Sequence, residues 1–431
     1  MATPIPLSLA VLGCGGRGRT YAQLAARFPE RYRLAAAVDP NPIRRGEVEA
    51  LAPGGRMVTD ATAEDFFTRP KCADVLVVAT QDAQHREHAL AGLKAGYDLL
   101  LEKPIAPNRA DTQAVVEAAR RLGRRVLVCH VLRYTPFYRR VKEILDSGRL
   151  GEIVSLNATE GVGAWHQAHS YVRGNWSVAE RSSPMILAKS CHDLDILRWL
   201  ADRPAETVSS EGQLTHFIAA NAPAGAPARC TDGCPQGDCC TYNAERYMGD
   251  KREWLFAIHP QGVDLPREEI REWLKTSPWG RCVYRCDNTA VDHQAVLLRF
   301  AGGMTATFTM TAFESGRHLE IFGTRGRLRG GAFVKATTGA DIVVHGLDGV
   351  DEERHSVHIA EGGYGEHGGG DYGLMEALHQ EMTRPDPGAM APSIDVSLES
   401  HLMAFAAEES RQTGQVVAME KFLENALPGA S

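Results

Sequence analysis

The sequence predicts an α/β protein of two domains, a doubly wound parallel sheet followed by an α+β domain. Over the first third of the chain, short apolar runs alternate with amphipathic helical patterns, which is typical of strand–helix–strand units. After about residue 130, alternating apolar and polar residues indicate antiparallel strands instead. The length of 431 residues also fits two domains. We place the domains at residues 1–130 and 131–431, and expect that the C-terminal helices can pack back on the first domain.

The individual elements follow from the same patterns. Ala301, Gly302 and Gly303 separate two alternating runs and are a hairpin signal. The predicted strands cover residues 7–12, 33–38, 74–79, 97–101, 126–129, 152–160, 290–300, 304–311, 317–323 and 327–333, and the helices cover 87–95, 111–122, 136–147, 372–381 and 397–413.

Composition and charge exclude several classes of protein. The chain is 44% hydrophobic and 23% charged, as globular proteins are. A net charge of −7 argues against general binding to nucleic acids or to membrane surfaces, which are themselves negative. Apolar runs are too short to span a membrane, and the N-terminal residues lack an export pattern. We therefore expect a cytoplasmic protein whose ten cysteines are reduced thiols or metal ligands.

A glycine-rich turn follows the first predicted strand. Gly13, Gly15 and Gly18 form the pattern G-x-G-x-x-G, which allows a tight turn, close approach of a pyrophosphate and close helix–strand packing, respectively. Gly16 and Arg17 lie in the same turn, where free N–H groups and the helix dipole favour phosphate. The sequence therefore predicts a Rossmann dinucleotide-binding site.

Asp39 determines which dinucleotide is expected. It lies 21 residues after Gly18, at the end of the second predicted strand. There its carboxylate can accept hydrogen bonds from the adenosine ribose and would repel a 2′-phosphate, which favours NAD over NADP. Arg44 and Arg45 follow closely and could soften this preference.

On these and later motifs, the chain resembles the glucose–fructose oxidoreductase / inositol dehydrogenase / MocA (Gfo/Idh/MocA) family. The resemblance covers about the first 200 residues well and is looser beyond them. Its most specific element is the tripeptide Glu102-Lys103-Pro104. The other shared features are the glycine-rich turn, Ala79-Thr80 with His85, Arg133-Tyr134 with Pro136, the segment 146–152, and His192 with Asp195.

The resemblance implies a large, mostly antiparallel open sheet in the second domain, often used to form dimers or tetramers. It also implies an NAD(P)-dependent oxidation of a CH–OH group in a sugar, glycoside or cyclitol, with hydride transfer to the nicotinamide. Lys103 would contact the reacting hydroxyl, and His192 would accept its proton, as a neutral imidazole can near pH 7. Thr80, His85, Glu102 and Lys103 itself would contribute to the cofactor site.

One position departs from the family pattern. The family commonly has an aspartate four residues before the histidine, where this chain has Ala188 with Lys189 beside it. Lys189 could act as acid or base, with its pKa lowered by Lys103 and by burial. This leaves room for a second activity, a glycosidase that oxidises its substrate transiently and consumes no net NAD. A dinucleotide sensor without catalysis is disfavoured, because both Lys103 and His192 are present.

Further polar residues are candidate substrate ligands. Segment 361–371 contains six glycines with His367 and Asp371, and could close over a polyol or be a plain surface loop in which Asp371 caps the next helix. The remaining candidates are Arg133, Tyr134 and Asp195, and the hydroxyl-binding or sugar-stacking side chains Arg173, Asn175 and Trp176.

Six cysteines are clustered. Structural zinc favours thiolates at short spacings, although the spacing here differs from the usual C-x-x-C. Buried free thiols or a disulfide are the alternative. The residues are Cys230, Cys234, Cys239 and Cys240, which fall within eleven positions, and Cys282 with Cys286.

Overall fold

A computed structural model describes residues 6–52, 54, 57–359, 367–384 and 394–424 and shows two β-sheets. The N-terminal sheet consists of β1 (Leu7–Leu12), β2 (Tyr32–Val38), β3 (Val58–Asp60), β4 (Val75–Val78), β5 (Asp98–Leu101) and β6 (Val126–Val128). All six strands are parallel, in the order β3-β2-β1-β4-β5-β6. This is the strand order of dinucleotide-binding folds, and the predicted doubly wound sheet is confirmed.

Helices cover both faces of this sheet, so its central strands are buried on both sides and read as continuous apolar runs. Local signals set the helix ends: the Asn108 side chain accepts a hydrogen bond from Asp111 N at the start of one helix, and Gly123 ends that helix at φ 60°. The helices are α1 (Gly16–Arg27), α2 (Pro42–Glu49), α3 (Ala63–Phe67), α4 (His85–Lys94) and α5 (Arg109–Leu122).

The second sheet has nine strands and is mostly antiparallel, as predicted. They are β7 (Ile153–Val162), β8 (Ala205–Gln213), β9 (His293–Phe300), β10 (Thr305–Thr311), β11 (Ser315–Gly323), β12 (Gly326–Gly331), β13 (Ile342–Gly346), β14 (Glu352–His355) and β15 (Val417–Ala418). Their order is β14-β13-β12-β11-β7-β10-β9-β8-β15, and β7 and β10 are parallel. The hairpin between β9 and β10 turns through Gly302 and Gly303, both at positive φ.

Ten further α-helices accompany the second sheet in the described residues. They are α6 (Pro136–Asp146), α7 (Ala164–His166), α8 (Met185–Ala188), α9 (Cys191–Ala201), α10 (Leu255–Ile258), α11 (Arg267–Thr276), α12 (Ala332–Thr338), α13 (Gly370–Thr383), α14 (Ile394–Thr413) and α15 (Met419–Glu424). A π-helical turn, Gln167–Val172, follows α7.

Helix α13 packs on the N-terminal sheet. Its Leu374 and Leu378 are fully buried in one apolar cluster with Leu9 and Val11 of β1. Helix α14 packs between the two sheets, where His401 Nε2 accepts a hydrogen bond from Ile105 N at 3.0 Å. These two helices hold the domains together and fix the cleft between them.

Several features differ from or go beyond the sequence-based expectations, including the strands β8, β13, β14 and β15, which were not predicted. The short strand β3 was not predicted, because three residues give little periodicity. The strand predicted over 327–333 ends at Gly331, whose φ of 105° turns the chain into α12. The helix predicted over 372–381 begins earlier, at Gly370, so Asp371 is inside it and does not cap it. Residues 361–366 of the predicted glycine-rich loop lie outside the described residues.

In the part of the chain that the structure describes, no helix is both long enough and apolar enough to cross a membrane.

Candidate active site

The glycine-rich turn between β1 and α1 has the shape that a dinucleotide requires. Gly13 has a φ of 90°, and a Cβ there would lie 2.5 Å from the carbonyl oxygen of Ala79. A Cβ on Gly18 would lie only 1.9 Å from the Gly13 carbonyl oxygen. At Gly15, by contrast, a Cβ would meet none of the described atoms within 4 Å. Two glycines are thus required by packing, while Gly15 leaves the backbone open to a pyrophosphate.

Asp39 closes the other side of this turn from the end of β2. Its carboxylate accepts hydrogen bonds from Cys14 N and Asn41 N, both at 2.8 Å, and the residue is 7% exposed. Each carboxylate oxygen can accept a second hydrogen bond, so a ribose can still be bound. Together with Gly13, Gly15, Gly16 and Gly18, this residue would hold NAD.

The Arg17 side chain forms ion pairs with two carboxylates of the protein. Its Nε donates to Glu102 Oε1 at 2.7 Å, and its terminal nitrogens donate to both carboxylate oxygens of Asp371 on α13. Tyr21 also donates to Glu102 Oε1, at 2.6 Å. Burial acts to raise the pKa of Glu102, but Arg17 and Lys103 outweigh it and the net pKa is below its usual value. Arg17 therefore links α1, the end of β5 and α13.

Lys103 follows β5 at the carboxyl edge of the parallel sheet, where such folds bind their ligands. Its peptide bond to Pro104 is cis. Its Nζ donates a hydrogen bond to the backbone oxygen of Ala188 at 2.6 Å. A backbone carbonyl of the second domain is thus the acceptor at the position where the family commonly has an aspartate.

His85 supports the loop that carries Lys103. The side chain is 1% exposed, with Nδ1 2.6 Å from the oxygen of Pro104 and Nε2 3.1 Å from the oxygen of Thr80. Thr80 Oγ1 in turn lies 3.0 Å from His88 Nδ1. This arrangement places His85 beneath the loop and indicates that it positions the loop rather than contacts a cofactor.

His192 lies in the first turn of α9, opposite Lys103. It is buried, and its Nδ1 has no hydrogen-bond partner among the described residues. The rings of His367 and His130 lie 5.8 and 6.0 Å from it, centre to centre. Burial and the Lys103 cation hold the pKa of His192 well below its usual value. His192 is therefore a neutral imidazole whose Nδ1 is buried and unpaired among the described residues.

Lys189 belongs to a buried charge network at the base of the cleft. Its Nζ lies 3.1 Å from Glu160 Oε1 on β7, and Arg317 on β11 binds both Glu160 and Asp193, at 2.9 and 2.7 Å. Burial lowers the pKa of Lys189, although Glu160 acts against it. The pKa of Lys189 is thus lowered, as the sequence predicts, but the cation that contributes to the lowering is Arg317 and not Lys103. Burial also raises the pKa of Asp193, against the effect of Arg317.

Arg133 and Asp195 form a second buried pair below His192. Two guanidinium nitrogens donate to the two carboxylate oxygens at 2.5 and 2.6 Å, and Asp195 is fully buried. His130 lies 3.7 Å from Asp195, and burial lowers the pKa of His130 to about 4. Because Arg133 and Asp195 satisfy each other, they support α9 rather than present groups to a substrate. Tyr134 packs against α13, where a Cβ on Gly373 would lie 2.6 Å from its carbonyl oxygen.

His367 reaches the cleft from the start of α13. Its Nδ1 lies 3.2 Å from Asp371 Oδ2, and its ring faces His192. Burial lowers the pKa of His367, although the hydrogen bond to Asp371 acts against it. Of the predicted substrate ligands, His367 is therefore the one that the structure brings next to His192.

The candidates Arg173, Asn175 and Trp176 lie in other surroundings. Trp176 Nε1 donates to Asp82 Oδ2 at 3.0 Å, and Asn175 Nδ2 lies 3.3 Å from Gln81 Oε1, so these two side chains bind the loop after β4. Arg173 is 2% exposed and donates to the backbone oxygens of Arg281 and Tyr242. Its position does not support the predicted role in substrate binding, because its guanidinium holds the cysteine-rich segment together.

The six clustered cysteines do not form a metal site. All are free thiols, and four of them, Cys230, Cys234, Cys240 and Cys282, line one cavity. Within the described ranges, no group of three or more His, Cys, Asp or Glu side chains is arranged to hold a metal ion. The possible structural zinc is therefore not supported, and burial raises the pKa of the Cys240, Cys282 and Cys286 thiols. Cys239 is exposed.

Several residues of the site were missed from the sequence. Glu160 on β7 points to the same face of the sheet as the buried Leu156, and Arg317 on β11 points to the same face as the buried Leu319. A charged residue at an inward position of an alternating strand is unusual, and this pattern could have identified both residues from the sequence. His166 has no comparable signal. Burial and the neighbouring Lys189 hold the pKa of His166 well below its usual value.

Comparison with known proteins identifies the family. Residues 7–130 match a family described as "Oxidoreductase family, NAD-binding Rossmann fold", and residues 138–329 match the "GFO/IDH/MocA C-terminal domain". YteT of Bacillus subtilis, described as an oxidoreductase, is 23% identical over 85% of this chain and 88% of its own length. Inositol 2-dehydrogenase 2 of Saccharopolyspora erythraea is 31% identical over 47% of this chain, and that match spans 56% of the relative.

A solved structure shows the same fold over nearly the whole chain. An oxidoreductase from Agrobacterium radiobacter, in complex with NAD+, L-tartaric acid and magnesium, is similar with a TM-score of 0.68 and 18% identity, covering 97% of this chain and 99% of that one. The two family matches together take in well over half of the residues, and both belong to one family. This chain therefore belongs to the Gfo/Idh/MocA family of NAD-binding oxidoreductases.

Proposed function

We propose that this protein is an NAD-dependent dehydrogenase that oxidises a CH–OH group of a sugar, glycoside or cyclitol. One observation carries the proposal: Lys103 of the first domain and His192 of the second meet in one cleft. Lys103 Nζ donates to Ala188 O, in the segment that leads into α9, and the Lys103 charge adds to burial in lowering the pKa of His192. A cation and a neutral imidazole at one site are what the removal of a hydroxyl proton requires.

The roles of the two residues follow from their charge states. His192 accepts the hydroxyl proton, and the Lys103 ammonium stabilises the negative charge that develops on the oxygen as the proton leaves. When bound, NAD supplies the two-electron acceptor for the carbon that becomes a carbonyl. We propose that Lys189 then holds or passes on the proton, since Glu160 fixes its Nζ at the base of the same cleft.

The substrate class rests on two kinds of support. Histidine, lysine and carboxylate side chains around the cleft are hydrogen-bonding groups suited to a ligand with several hydroxyls. Relatives with 28–32% identity over about half of this chain are inositol 2-dehydrogenases. A polyhydroxylated ring is therefore the substrate we propose to test first.

A glycosidase that uses NAD without consuming it is the second candidate. The observation in its favour is Lys189, which is paired with Glu160 and directly follows Ala188, the residue whose backbone oxygen accepts the hydrogen bond from Lys103. Elimination of a glycosidic substituent requires additional proton transfers to and from carbon and oxygen, and Lys189 offers a further group for them.

A panel of substrates separates the two candidates. Purified protein is mixed with NAD+ and cyclitols, free sugars or aryl glycosides, and NADH, ketone and released aglycone are quantified. The dehydrogenase produces NADH and ketone in equal amounts from a free polyol. Release of aglycone without net NADH would favour the glycosidase and contradict the dehydrogenase.

The proposal also covers the oligomeric state of the protein and its location in the cell. We propose a homo-oligomer that associates through the open face of the second sheet, where Val154 on β7 and Leu297 on β9 are each about half exposed. Light scattering of the purified protein tests this, and a monomer at micromolar concentration would contradict it. A cytoplasmic location remains part of the proposal.

A further inference from the structure

An insertion in the second sheet reaches the first domain. The chain leaves β8 at Gln213 and returns in β9 at His293. The intervening residues include α10 and α11 and have an apolar cluster of their own, in which Tyr247, Leu255 and Ile270 are fully buried. The insertion is therefore a packed unit that can hold its surface residues in place.

Residues 255–260 of this insertion, which we call the covering segment, contact the first turn of α1. The guanidinium of Arg19 lies over the ring of Phe256 at 3.9 Å. A Cβ on Gly16 would also lie 3.9 Å from Phe256 Cε1. Gly16 begins α1, directly after the open position Gly15, so the Phe256 ring borders the place where the turn can receive a pyrophosphate.

The same segment contacts the loop after β2. Asn41 Nδ2 donates to the backbone oxygen of Pro260 at 3.0 Å, and an Arg44 terminal nitrogen donates to the backbone oxygen of Ala257 at 3.2 Å. Asn41 is two residues from Asp39, whose carboxylate binds Asn41 N. The covering segment thus spans from the glycine-rich turn to the loop of the ribose-binding carboxylate.

We propose that the covering segment is the outer wall of the adenosine half of the NAD site and retains the dinucleotide between turnovers. In a Rossmann domain the glycine-rich turn and the acidic residue after the second strand hold the pyrophosphate and the adenosine ribose. Here a segment from the other domain joins those two elements, so NAD leaves only when Phe256 and its neighbours separate from α1 and the β2 loop.

The contacts also bear on the choice of cofactor. Arg44 donates to the covering segment, and Arg45 donates to the backbone oxygen of Asp39. Both arginines that could have accommodated a 2′-phosphate are directed to backbone carbonyls. The covering segment therefore supports the preference for NAD that Asp39 establishes.

Phe256→Ala tests the proposal with a readout that needs no substrate. Phe256 is half-buried, and its removal deletes the contacts with Arg19 and Gly16 while the apolar cluster of the insertion stays intact. Protein is loaded with NADH and passed over a desalting column, and the dissociation rate is then measured from NADH fluorescence after mixing with excess NAD+. We expect the rate to rise about tenfold or more, from the lost cation–π and apolar contacts.

Phe333→Ala is the matched control, because Phe333 is an exposed phenylalanine on α12 of the same domain. Arg19→Leu is a second variant that removes the same contact from the other side, and its effect should not add to that of Phe256→Ala. Unchanged NADH release in both Phe256→Ala and Arg19→Leu, with unchanged thermal unfolding, would overturn the proposal. The inference rests on NAD binding and not on the proposed substrate, so the two can fail separately.

Discussion

The glycine-rich turn and the cleft around His192 are built in opposite ways. In the turn, Gly13, Gly15 and Gly18 lie within six consecutive residues. A Cβ on Gly13 would meet Ala79, which follows β4, and a Cβ on Gly18 would meet Gly13, whereas a Cβ on Gly15 would meet none of the described atoms. In the cleft, Lys103 follows β5, His192 lies in the first turn of α9, and Glu160 lies on β7. The first site is local in sequence, while the second is assembled only when two domains pack together.

This difference shows where a functional site is sensitive to change. In the local turn, a single added Cβ atom at a position without space causes a steric clash and disrupts the turn. An assembled cleft depends on charges that have been taken out of water, because each buried group relies on partners from another element. Variants in the two regions should therefore change different measured properties: stability and NAD binding for the turn, and kcat and pH dependence for the cleft.

The largest effect is expected at Lys103. Lys103→Met keeps the length of the side chain but removes the cation that stabilises the developing oxyanion, and kcat should fall by about 10³-fold. NAD binding should persist, because Gly15 and Asp39 are untouched. Steady-state kinetics and NAD titration measure the two properties. Lys94→Met, at an exposed lysine on α4, is the control, and near-normal kcat in Lys103→Met would exclude its assignment to the site.

A pair of glycine variants probes the local turn. Gly18→Ala places a Cβ 1.9 Å from the Gly13 carbonyl oxygen, so it should destabilise the protein by about 1–3 kcal/mol and abolish NAD binding. Gly15→Ala meets none of the described atoms and should unfold at the normal temperature while binding NAD more weakly. Thermal unfolding and NAD titration are compared for both. Equal losses of stability in the two variants would contradict the conclusion that Gly18 is required by packing and Gly15 is not.

The smallest effect concerns His130, which lies under His192 without a hydrogen-bond partner in the described chain. Its pKa is about 4 in the fold, because burial disfavours the cation. The unfolded chain therefore binds more protons between about pH 6.5 and 4, and stability falls as the pH falls through that window. His130→Phe should make this fall shallower, by at most about 1.4 kcal/mol per pH unit.

Unfolding at pH 7, 6 and 5 measures this dependence, with His358→Phe, at an exposed histidine, as the control. An unchanged slope in His130→Phe would contradict the assignment of a neutral buried imidazole to this position.

The sequence was sufficient for regions where neighbours along the chain decide the structure. Five of the six strands of the first domain, all except β3, are predicted within two residues at each end, because apolar runs covered by helices on both faces are easily recognised. The charged network around Lys189 was harder to predict from the sequence. Lys189 itself was identified beside Ala188, but its partner Glu160 is 29 residues away and Arg317 is on another strand. Their inward positions give a weak signal that becomes clear only once the strands are paired.

The sequence by itself determined that a dinucleotide binds, and favoured NAD, because Gly13, Gly15, Gly18 and Asp39 act through short-range geometry that their spacing encodes. Only the tertiary structure decided the surroundings of Lys103. Its acceptor is the backbone oxygen of Ala188, a contact between domains that no side-chain pattern records. The covering segment over α1 is likewise a contact across more than 200 residues of sequence, and packing of one domain against the other creates it.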